Sequence, residues 1–144
     1  MNIDRVAAMV TSIAVLIVVI AAFQLLGSPT DQRLQRLDER RVSDLQQLAH
    51  AVDTFHAQRD VLPEDLEALV DGRRLSRLPT DPASDQPYRY EPLADGRYRL
   101  CASFARASEP ESPAAFWRHQ AGSTCFEFEA TTDPALRPRI LPRY

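Results

Sequence analysis

The sequence predicts an α+β protein with an N-terminal transmembrane helix, a long amphipathic helix, a short helix and a small antiparallel β-sheet. Three observations carry this expectation. Val6 to Leu26 holds no charge, and Asp31 to Arg59 holds neither Gly nor Pro. Beyond Pro87 the apolar period shortens from the helical repeat to strict alternation.

The first run contains only Thr11, Ser12 and Gln24 as polar residues. At about 21 residues it would span roughly 30 Å as a helix, the thickness of a hydrocarbon core. It is longer than the apolar region of a signal peptide, and Phe23-Gln24-Leu25-Leu26-Gly27 offers no small-x-small cleavage site. The reading is a retained anchor with the lipid bilayer as its partner. Counting Arg near its ends favours a cytoplasmic C-terminal side, because Arg33, Arg36, Arg40 and Arg41 outnumber Arg5. Long C-terminal domains translocate largely regardless of charge, and the two cysteines favour an oxidising side. The expected placement is a single-pass protein of the bacterial inner membrane with a periplasmic C-terminal domain.

The chain divides into a flank over 1–5, the transmembrane helix over 6–26, a linker over 27–30, an α+β domain over 31–130 and an irregular Pro- and Arg-rich tail over 131–144. In the linker, Gly27 and Pro29 interrupt one helix, and Thr30 or Asp31 can cap the next. Leu34, Leu37, Val42, Leu45, Leu48, Ala49, Val52 and Phe55 then recur at threes and fours, forming one buried stripe. Arg40 and Asp44 read as an exposed i,i+4 pair on a solvated face. A short helix is expected around Pro63, with Leu62, Leu66, Leu69 and Val70 packing on the long one before Gly72 stops it.

Turn chemistry fills Pro79 to Pro87. Tyr88 to Glu91, Arg97 to Phe104 and Cys125 to Ala130 alternate as strands, with Asp95-Gly96 as a hairpin turn between the first two. Cys101 and Cys125 are the only cysteines. They lack the close pairing of a metal site. A structural disulfide is expected if the domain is exported, with two reduced, buried thiols as the cytoplasmic alternative.

Function classes fall away by composition. The 17 basic residues are all Arg, so Lys-dependent covalent catalysis is excluded. The four glycines are too scattered for a phosphate-cradling loop. A net charge of -3 argues against a nucleic-acid partner. His50 and His56 lack metalloprotease spacing, and His119 reads as a packed loop residue. Glu127 and Glu129 share a solvent-facing strand side. Asp81, Asp85, Glu91 and Asp95 read as solvated turn acids. No catalytic, cofactor or metal site is expected.

The order of parts resembles type IV pilin-like proteins, above all the major pseudopilins of type II secretion. The resemblance rests on Leu62-Pro63 with Leu66 and Leu69, then Leu78-Pro79-Thr80-Asp81-Pro82, Pro87-Tyr88-Arg89-Tyr90 and Tyr98-Arg99-Leu100, over roughly residues 31 to 104. The prepilin cleavage motif, a Gly before a Phe-Thr-Leu-Ile-Glu type start, is replaced by Met1-Asn2-Ile3-Asp4-Arg5. The resemblance implies a structural or interaction protein, not an enzyme, that meets other membrane, secretion or pilus proteins. The alternative is a membrane-tethered extracytoplasmic binding or sensing module that does not polymerise.

Overall fold

The computed structural model describes residues 3–26, 28–108, 115–131 and 139–140. The chain forms two compact units, Met1–Leu34 and Gln35–Tyr144.

In the first unit, helix α1 covers Ile3–Leu26. Thr11 donates its hydroxyl toward the carbonyls of Ala7 and Ala8, and Ser12 donates to that of Ala8, so these polar side chains are satisfied within the helix. Among the described residues no helix is long and apolar enough to cross a membrane. This corrects the expectation of a transmembrane helix over Val6 to Leu26. The bilayer partner and the inner-membrane placement rested on that helix and lose its support.

A second helix, α2, covers Pro29–Arg59. The linker expected over 27–30 is thus shorter, because Pro29 opens the helix instead of interrupting one. Its missing N–H falls where a helix leaves that group unused. Ser28 caps this start: its hydroxyl accepts from the Thr30 amide at 3.3 Å, and its carbonyl accepts from Gln32 at 3.1 Å. At the far end Asp60 takes φ 58° and donates its amide to the His56 carbonyl at 2.7 Å.

In the second unit, α2 lies over an antiparallel meander, β1 (Arg89–Pro92), β2 (Arg97–Phe104), β3 (Gly122–Glu129) and β4 (Arg139–Ile140), ordered as in the sequence. Asp95 and Gly96 both take positive φ, 59° and 70°, in the hairpin turn that Arg97 closes by donating its amide to the Ala94 carbonyl at 3.2 Å. Register follows the alternation: Tyr98 opposes Phe128 and Leu100 opposes Phe126, all turned inward. Leu45, Leu48, Ala49, Val52 and Phe55 of α2 complete the core against them, with Tyr98 and Phe128 stacked at 5.1 Å. Trp117, in a 3-10 turn at Ala115–Trp117, packs on both Phe126 and Phe128.

Two further expectations need correction. The short helix around Pro63 is only a 3-10 turn, Glu67–Leu69. Local side chains take over its backbone: Asp65 accepts from the Ala68 amide, and Asp71 from those of Arg73 and Arg74. Leu66 and Leu69 are buried there, but Val70 is exposed. Within the tail expected to be irregular, Arg139 and Ile140 pair with Glu129 and Phe128. The rest of the tail beyond Thr131 lies outside the described residues.

Candidate functional site

Two polar constructions stand out, one on each side of the sheet. The first occupies the early part of α2. Asp38, Arg41 and Asp44 are buried there, in step with the 3–4 spacing of the apolar residues that follow. The Arg41 guanidinium lies 2.7 Å from Asp38 through Nη1 and 2.6 Å from Asp81 through Nε. Asp38 also accepts the backbone amides of Ala105 and Arg106, both at 2.9 Å, just past the end of β2. Asp81 accepts those of Ala83 and Ser84. Arg41 holds the Asp81 carboxyl down to about 2, helped by these amides. In turn Asp81 raises Arg41 above its ordinary value. Tyr88 donates its hydroxyl to Asp44 at 2.9 Å, and burial is the main force pushing that phenol up. The cluster joins one helix, one loop and one strand end, and every charge in it is partnered. Its chemistry is structural.

The second construction covers the outer face of the sheet. Cys101 opposes Cys125 in the β2–β3 register, and the two form a disulfide across a Cα separation of 4.0 Å. That is the close spacing of an antiparallel pair whose backbone groups point away from each other. Beside it runs a ladder of charges: Glu91 and Glu127 flank Arg99, Arg97 also meets Glu127, and Arg89 meets Glu91.

The residues weighed for chemistry do not converge. His50 lies exposed on α2. His119 stacks on Phe104 at 3.6 Å, with Nδ1 2.7 Å from the Trp117 carbonyl. Glu127 is engaged by arginines, and Glu129 stands exposed at the strand end. Asp85 receives the Thr80 hydroxyl, and Asp95 sits in the hairpin turn. Among the described residues no three His, Cys, Asp or Glu gather as a metal site.

Asp44 is the clearest correction to the solvated-face reading, since it is buried while Arg40 stays exposed. Asp38, Arg41 and Asp53 were missed for the same reason: charge outweighed position. Their spacing relative to Leu45, Leu48 and Val52 was the available signal.

A third feature lies in the first unit. Val6, Met9, Val10, Ile13, Val15, Leu16, Ile17, Val18, Val19 and Ile20 are all exposed on α1. No family model matches the chain, and neither a curated protein nor a solved structure does.

Proposed function

We propose that the chain is a non-catalytic structural or interaction protein of pilin-like build. It works outside the cytoplasm and joins other subunits of a secretion or pilus assembly through α1. The observation that supports this reading is the exposed, charge-free and largely apolar surface of that helix between Val6 and Ile20, on which Met9 and Val18 are 65% and 67% exposed. Exposed apolar surface on this scale marks an association site. The second unit has a buried core of its own. The disulfide supports an oxidising compartment. The ion ladder on the outer sheet face keeps that face hydrated and leaves α1 as the adhesive element.

A photo-crosslinking residue at Leu16 of the full chain, expressed with its native neighbours, tests the assembly role. Adducts to other subunits are expected, and Ile13→Arg with Ile17→Arg should abolish them. A full chain that stays monomeric and gives no adduct overturns the reading. Thiol labelling tests the compartment: Cys101 and Cys125 should resist labelling of the native protein until reductant is added. Immediate labelling, blocked by an intact inner membrane, would place the domain in the cytoplasm.

A further inference from the structure

We propose that the open edge of β3 is a docking surface for a strand, and that its occupant is the segment following β4, residues 141–144 of the same chain. β3 has eight residues, and β2 pairs with all of them. On the other side β4 pairs only with Phe128 and Glu129. Among the described residues no strand lies against that edge over residues 122–127.

Two observations establish which backbone groups face the open edge. Ala130 donates its amide to the Gly96 carbonyl at 2.9 Å, so the β2–β3 register sets hydrogen-bonded pairs at Tyr98 with Phe128 and at Leu100 with Phe126. Cys101 and Cys125, at a Cα separation of 4.0 Å, are the alternate kind of pair, whose backbone groups turn away from each other. The N–H and C=O of Cys125 therefore point away from β2, and by the two-residue period so do those of Ser123, Glu127 and Glu129. Glu129 meets Arg139 of β4, and the edge beyond it presents a template for an antiparallel strand.

Register and sequence select the occupant. Continued by the same antiparallel step, the β3–β4 register sets Leu141 opposite Glu127, Pro142 opposite Phe126, Arg143 opposite Cys125 and Tyr144 opposite Thr124. Leu141 and Arg143 bring the amides and carbonyls that Glu127 and Cys125 can pair with. Pro142, which has no amide, falls opposite Phe126, where the partner's N–H would point away from β3 and is not missed. Pro138 falls in the same phase, whereas a Pro one residue out of step would break the ladder. Arg139 and Arg143 take the two positions diagonal to Glu127, a favourable charge arrangement on neighbouring strands.

Amide hydrogen exchange on the full chain tests this. In wild type the amides of Cys125 and Glu127 should exchange slowly, although β2 does not bond them. Leu141→Pro removes an amide that the pairing needs and should speed both by about tenfold or more. Pro142→Ala should leave both slow. The Phe126 amide, bonded to β2, should stay slow throughout and shows that each variant is folded. Fast exchange at Cys125 and Glu127 in wild type, slow exchange that survives Leu141→Pro, or equal loss with Pro142→Ala overturns the proposal. NMR of the wild type makes the test independent of any variant. A short Hα–Hα contact between Phe126 and Pro142 is expected, since the α-carbons of such a pair lie close together. In a mixture of isotope-labelled and unlabelled chains it should arise within one chain. Its absence rejects the docking, and so does a contact between chains, which would give the edge to a second copy.

Discussion

The two halves of α2 are fastened to the same body by opposite means. From Asp38 to Asp44 the inward face is charged, and it meets the loop at Asp81 and the end of β2 through hydrogen bonds. From Leu45 to Phe55 it is apolar and meets the sheet by packing, with Asp53 as the one buried acid. The first joint depends on direction and charge, and tolerates little loss of a partner. The second depends on volume. One helix therefore carries two joints that should fail under different challenges.

The largest expected effect lies in the apolar half. Leu48 is fully buried, and Leu48→Ala removes its contacts and leaves a cavity. A loss of about 3 kcal/mol is expected in urea unfolding, insensitive to salt and to pH between about 4 and 8. Arg41→Met comes close behind. It strips Asp81 of its cation and leaves Asp38 with the two backbone amides alone. Removing one member of a buried pair costs about 3 kcal/mol. Replacing Asp38, Arg41 and Asp81 together by apolar residues should cost less than the single change, because no orphaned charge remains. If the triple variant is the worse one, the charged joint contributes more than mutual neutralisation and the contrast with the apolar half disappears.

Acid should separate the halves further, because their key carboxyls are displaced in opposite directions. Asp81 is held down to about 2, so its contribution is present above the ordinary carboxyl value near 3.8 and is lost as pH falls through about 2. Asp53 is pushed up to about 6, so its ionised form destabilises the fold at neutral pH, and protonation relieves that as pH falls through about 6. Thermal unfolding from pH 7.5 downward is expected to show stability rising first, then falling below about pH 4. Arg41→Met should blunt only the acid limb, and Asp53→Asn only the neutral one.

How much of this was legible in the sequence follows the same division. Apolar periodicity located the lower half of α2, and alternation located β2. The charged half was illegible because Asp38, Arg41 and Asp44 read as solvated by residue type, and their partners lie up to 68 positions away in Arg106. A pattern of hydropathy cannot register a salt bridge closed by a distant loop. The short helix failed differently. Asp65 and Asp71 offered their own oxygens to the backbone, and those local bonds prevailed over the leucine spacing. In α1 the uncharged run located a helix. The same run said nothing of its partner, since a helix apolar on every side suits several surroundings equally.

The smallest expected effects come from a matched pair of tyrosines, one on each joint. Tyr88→Phe removes a hydroxyl from Asp44 in the charged half, and Tyr98→Phe removes one from Asp53 in the apolar half. Each should cost about 1 kcal/mol, the net worth of a buried hydrogen bond. Their pH behaviour should differ. Tyr98 helps to keep Asp53 ionised, so its loss should move the Asp53 midpoint above about 6 and make Tyr98→Phe more costly at pH 7.5 than at pH 5. Tyr88→Phe does not touch Asp53 and should leave that midpoint in place. Equal shifts from both variants would mean that the two halves of α2 respond as a single unit, so that the local wiring of each carboxyl does not set its response to acid.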